Sequence, residues 1–128
     1  WMPKAQVTDC MRRHDAFVFT SLRDTSGNVL LEAMAAGLPV ITLNHQGAAE
    51  MVTEETAIRT SITSRSETVT QLANAMLARA RSPALRDKLG DAGRERIKAK
   101  YLWNGHAERM DRIYRQVIEE QRITTARQ

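Results

Sequence analysis

A single cysteine, Cys10, excludes an internal disulfide and any cysteine-based metal cluster, and such sparing use of the residue fits a reducing compartment. Val7, Met11 and His14 stand near it at helical spacing, which predicts a buried, inert thiol. Aromatics make up only 5% of the chain, and no nucleic-acid partner is expected. No run approaches the ~20 apolar residues of a membrane helix, and Trp1-Met2-Pro3-Lys4 does not resemble a secretory signal. The sequence contains no Asp-x-Asp pair, Walker loop, Gly-x-Gly-x-x-Gly or His-Glu-x-x-His, so no metal and no nicotinamide or flavin cofactor is expected.

What is present is ordinary for one globular domain of 128 residues: 42% hydrophobic, 27% charged and a net charge of +4. Most of the Lys and Arg follow Gln71 and interleave with Asp and Glu, the pattern of a solvated helical face. The same excess would favour an anionic partner or a membrane headgroup surface. A cytoplasmic protein is expected, with peripheral contact at the inner face of a membrane compatible with that charge.

Periodicity orders the elements. Val7, Cys10, Met11 and His14 predict a helix, and Ala16 to Thr20 a short strand. A polar connection ends in Thr25-Ser26-Gly27, residues suited to a helix start, and Asn28 to Ala36 predicts a helix stopped by Gly37 and Pro39. Pro39 to Leu43 then predicts a second strand. Strand, helix and strand in this order imply parallel pairing in a buried sheet. A short helical turn over 48–52 and a weak strand over 57–62 follow, and the remainder is helical, with starts at Ser66-Glu67 and Ser82-Pro83. Trp103, Met110 and Tyr114 share a spacing that predicts packing, and Thr124 to Gln128 are expected to fray. Two good strands and a weak one are fewer than a usual sheet holds, and the sequence starts abruptly at Trp1; we expect a truncated α/β domain.

One residue stands out. Glu32 interrupts the apolar run Val29 to Ala36 about one turn into its helix. A carboxylate buried there needs a partner. Either Glu32 reaches the domain edge or a base such as Arg23, or its partner comes from outside as the hydroxyls of a bound sugar. In open parallel sheets ligands bind beyond the carboxyl ends of the strands, where loops lead into helix starts. The backbone N–H groups of Gly27, Asn28, Val29 and Leu30 would there meet a phosphate at the positive end of the helix dipole. Asp24 before this start and Glu32 behind it would bracket the phosphates, a layout suited to a nucleoside diphosphate sugar.

The stretch "FVFTSLRDTSGNVLLEAMAAGLPVI" resembles the donor-binding motif of the retaining glycosyltransferases of the two-Rossmann-domain (GT-B) type, the glycosyl transferases group 1 or family 4. The family pattern is an acid, seven residues, a glutamate, then small and apolar residues and Gly-Leu-Pro-Val-Ile, and the spacing from Asp24 to Glu32 keeps it. "DAFVFTS", "AAEMV", the helix over 66–81 and "YLWNGHAERMDRIYRQV" extend the resemblance over most of the chain. It implies a Rossmann-like parallel sheet with flanking helices, with residues 1–128 forming part of a C-terminal nucleotide-sugar-binding domain. It further implies a catalytic Asp24 on the transferred sugar, Glu32 on the nucleotide ribose, and Ser26 to Leu30 around the diphosphate. The donor is then a nucleoside diphosphate sugar used without metal, the partner an N-terminal acceptor-binding domain of the same protein, and the isolated piece inactive. The first acid of the family is usually glutamate, followed by glycine-phenylalanine-glycine. Asp24 and Thr25-Ser26-Gly27 depart from that and reshape the sugar pocket. A sugar-nucleotide epimerase of the same architecture, or a non-catalytic donor-binding module acting with a partner chain, would use the same site.

Overall fold

The structure, a computed structural model, describes residues 2–23 and 27–126, with side chains described as far as 122. Asp24, Thr25 and Ser26 lie outside the described residues, and so do Trp1, Arg127 and Gln128. Two compact units divide the chain, Trp1–Ile97 and Lys98–Gln128.

In the first unit the elements follow the order α1 (Lys4–Arg12), β1 (Phe17–Phe19), α2 (Asn28–Ala36), β2 (Val40–Leu43), α3 (Gln46–Met51), β3 (Ala57–Thr60), α4 (Arg65–Arg81) and α5 (Pro83–Lys100), whose last residues run past the unit boundary. The three strands form one parallel sheet in the order β1-β2-β3, with Val18 opposite Ile41 and Ile41 opposite Ile58. This is the expected α/β, Rossmann-like arrangement. The thinly patterned third strand forms because Asn44 N–H donates to Thr60 O at 2.8 Å and Thr60 Oγ1 to Thr42 O at 3.2 Å, fastening it to β2.

The central strand β2 is buried throughout, as befits a parallel strand covered on both faces. One face meets α1, α2 and α3: Leu30, Ala33 and Met34 of α2 are wholly buried with Val40, Val52 and Ala57, and Phe17 and Phe19 pack beside them. The other face, marked by Val18 and Ile41, borders Met76 and Arg79 of α4. Helix α2 ends as expected at Gly37, whose φ of 82° only glycine adopts without strain. Helix α4 starts one residue earlier than the sequence suggests. Its cap is Ser64, which accepts from Glu67 N–H while Glu67 accepts from Ser64 N–H, a reciprocal box that outcompetes Ser66.

Helix α5 explains the basic second half of the sequence. Gly90 and Gly93 are buried, Gly90 against the carbonyl of Gly37 and Gly93 against Met34, so α5 can lie close to the end of α2. From that position its arginines reach three helix C-termini. Arg86 donates to Arg79 O at 2.8 Å and Ala80 O at 3.3 Å, Arg94 to Ala36 O at 3.2 Å, and Arg96 to Met51 O at 2.7 Å and Glu50 O at 3.2 Å. Each satisfies carbonyls that a helix end leaves orphaned and places positive charge at the negative pole of the dipole. These cations therefore hold the fold together and are not merely a solvated face.

The second unit carries α6 (Trp103–Ala126). The packing expected for its aromatics is not observed: Trp103 is 86% exposed, and Met110 and Tyr114 are exposed with it. The helix also continues through Thr124 and Thr125 to Ala126, where fraying is expected from the sequence. Among the described residues no helix is long and apolar enough to cross a membrane. Cys10 is half-buried, with Sγ 3.9 Å from Nδ1 of His14, so the burial expected for it is only partial.

Candidate functional site

Because β1 is parallel to β2 and β3, the connections that leave their carboxyl ends gather at one edge of the sheet. After β1 the chain reaches Gly27, which precedes α2 in a left-handed conformation at φ 48°. A side chain at that position would be strained by the backbone and would meet the Sδ of Met51 at 2.9 Å. The positive φ is what calls for glycine here, since the Met51 side chain could give way to a Cβ.

The first-turn N–H groups of a helix have no partner four residues back. Here Leu30 N–H is engaged by Gly27 O at 2.7 Å, a tightened first turn. This corrects the expectation of a free Leu30 donor. With its side chain wholly buried, Leu30 forms the floor of the helix start. Asn28 is exposed and Val29 half-buried, so the start of α2 reaches the surface through these two residues. No acidic side chain occupies the first turn, which leaves the dipole's positive end without a carboxylate of its own helix.

Glu32 differs from the sequence expectation. Helix α2 is not apolar all round in its setting: Asn28, Glu32 and Ala35 form an exposed stripe, opposite the buried Leu30, Ala33 and Met34. The Glu32 side chain is 43% exposed, and its Oε1 lies 3.7 Å from Nζ of Lys4, itself 86% exposed. No burial penalty therefore demands a guest molecule. The base is Lys4 at the start of α1, not Arg23. A pair so long and wet is worth at most about 1 kcal/mol, so its carboxylate is open to exchange with other donors.

Asp24 and Ser26 fall outside the described residues, and the structure neither brings them to Glu32 nor parts them from it. The described part of the site is therefore Gly27, Asn28 and Val29 on the helix start, Leu30 beneath them, and Glu32 one turn on, all set on a single rigid element. Asn28 and Val29 can present N–H donors to an anion, and Glu32 a carboxylate to hydroxyls.

One further feature was not legible in the sequence. Gln46, just beyond β2 at the same edge of the sheet, has φ 45°, a conformation uncommon for a residue other than glycine. Strained backbone of this kind concentrates at functional sites. Neighbouring His45 opens α3 in an extended conformation and is half-buried, its N–H donating to Leu43 O at 2.9 Å. A sequence gives no warning of Gln46, because glycine is the usual signal for such a turn and the glycine here, Gly47, stands one place later. Among the described residues no three His, Cys, Asp or Glu come together in a way that could hold a metal ion.

Comparison with known proteins places this arrangement. The sequence model of the family described as "Glycosyl transferases group 1" matches residues 1–96. "Sucrose synthase 1" of Hordeum vulgare is 29% identical over 96 residues, which are 74% of this chain and 12% of that protein. The solved structure of a sucrose-phosphate synthase from Thermosynechococcus elongatus is similar with a TM-score of 0.67 and 34% identity, over 80% of this chain and 26% of that one. The chain thus spans a small part of the length of both relatives. With three quarters of its residues inside the family match, and the parallel sheet and α2 among them, the chain belongs to the glycosyl transferases group 1 family.

Proposed function

We propose that the chain is the donor-binding part of a glycosyltransferase that moves a sugar from a nucleoside diphosphate sugar to an acceptor hydroxyl with retention. The observation that carries this reading is the family match over residues 1–96, within which the Asp24-to-Glu32 spacing lies. The described geometry is compatible with it: a glycine-led helix start free of its own acid at the carboxyl edge of a parallel sheet, and a wet carboxylate one turn behind. The printed names of the two relatives concern sucrose and sucrose phosphate, so transfer onto a sugar hydroxyl is the first acceptor chemistry to examine.

Chemically, transfer leaves charge on the departing diphosphate. The N–H groups of Asn28 and Val29 and the dipole of α2 would stabilise that charge where it develops, which is worth more in the transition state than in the bound donor. Glu32 would accept from ribose hydroxyls, giving up its loose pair with Lys4. Asp24 would accept from hydroxyls of the sugar. None of these steps calls for a metal, and the acceptor would come from an N-terminal domain outside residues 1–128.

Calorimetric titration of UDP-glucose and GDP-mannose into the 128-residue chain, and into Glu32→Ala, tests the reading. Binding of at least one donor is expected, weakened roughly tenfold by Glu32→Ala, the loss of about 1.4 kcal/mol for hydrogen bonds to a charged acceptor. Equal affinity in the two proteins would remove Glu32 from the ribose site.

A further inference from the structure

At the other end of the sheet from α2's start, Arg79 stands in the last turn of α4 with 8% exposure, and among the described residues its Nε and Nη1 have no hydrogen-bond partner. Burial holds its pKa below the ordinary arginine value, yet a guanidinium stays charged at neutral pH. A buried cation with unmade hydrogen bonds is costly to keep, whereas Arg86, Arg94 and Arg96 of α5 all donate to helix-end carbonyls. The nearby helix end offers Arg79 no such relief, since the carbonyls of Arg79 and Ala80 are taken by Arg86.

Arg79 borders a cavity of about 350 Å³ together with Asp15, Val18, Ile41, Met76 and Arg86. Asp15 is the acid of this lining. Its side chain is 85% exposed, and Oδ1 lies 3.7 Å from Nε of Arg86. Asp15 thus answers Arg86 and leaves the charge of Arg79 uncompensated. Val18, Ile41 and Met76 make the remaining wall apolar, which strengthens any charge interaction inside it.

We propose that this cavity binds a small oxyanion, a carboxylate or phosphate group, with Arg79 as its principal cation. Asp15 and Ala16 lead into β1, so the cavity sits at the amino end of the parallel sheet, whereas α2 starts beyond the carboxyl end. The site is therefore separate from the candidate donor site and does not depend on it. An oxyanion offers several acceptor positions at once; Nε and Nη1 of Arg79 have neither a partner nor accessible surface among the described residues, so the guanidinium must turn toward the cavity for an anion to bond them.

Nitrogen-15 NMR of the arginine Nε–H groups in the full 128-residue chain reads the site directly. Sodium acetate and inorganic phosphate are titrated at constant ionic strength against sodium chloride, with the Arg79 signal assigned from Arg79→Lys. A saturable shift of the Arg79 signal by acetate or phosphate, at least tenfold stronger than with chloride, is expected, and which anion saturates first identifies the class. Asp15→Asn should retain the response and tighten it severalfold, because it removes the competing acid. A thermal melt supplies a second readout: Arg79→Met should lose anion-dependent stabilisation that the parent shows. An Arg79 signal that moves no more with acetate or phosphate than with chloride overturns the proposal, and so does a response abolished by Asp15→Asn. Phosphate bound only at the start of α2 would move backbone amides there and leave Arg79 unmoved, which counts against the site as well.

Discussion

The carboxylate of Glu32 stands on the outer side of α2, 43% exposed. Its apolar neighbours suggest burial, but the period of the helix sets Asn28, Glu32 and Ala35 on a wet stripe, and Lys4 meets the acid at 3.7 Å. Because the pair is exposed, Glu32→Ala should change stability by no more than about 0.5 kcal/mol in a denaturant melt while weakening donor binding. Glycines at this scale matter more for stability. At Gly37 the backbone has φ 82° and the Arg94 guanidinium lies where a Cβ would stand, so Gly37→Ala should cost about 2 kcal/mol or more, read as a lower midpoint at unchanged slope. Only part of the candidate site was legible in advance: Gly27 could be chosen from its place before the apolar run, whereas the strain at Gln46 leaves no mark in residue type.

At the scale of elements, the sequence specified α2, β1 and β2 closely, because Gly37 and Pro39 punctuate a clean change of period. It misplaced the start of α4, where two serines compete and only the three-dimensional box with Glu67 decides for Ser64. That box predicts a pH effect. Hydrogen bonds from the Thr63 side chain and from Ser64 hold the Glu67 carboxyl below the ordinary glutamate range. A depressed folded value means that the stabilisation is present above the unfolded pKa, about 4.3, and is lost as pH falls through the lower folded value. Glu67→Gln keeps a capping side chain without the charge, so its stability should fall less than the parent's on acidification below pH 4.5, and the two should be similar at neutral pH. Helix α5 was legible as a helix but not as a clamp, since the spacing of Arg86, Arg94 and Arg96 says nothing of the carbonyls they meet 6 to 58 residues away. Arg96→Ala should cost on the order of 1 kcal/mol by freeing the end of α3.

For the molecule as a whole, a parallel three-stranded sheet with helices on both faces places every strand's carboxyl end at one edge, and the start of α2, the proposed donor site, lies at that edge. Chain topology puts Gly27 beside α3, the helix that follows β2. In the proposed donor site the start of α2 receives the diphosphate of a nucleotide and Glu32 its ribose. Amide NMR of the 128-residue chain titrated with UDP and GDP measures this most directly. Saturable shifts largest at Gly27, Asn28, Val29 and Glu32 are expected, with those at Glu32 lost in Glu32→Ala. Saturable shifts confined to other parts of the chain, or none with either nucleotide, would contradict this assignment.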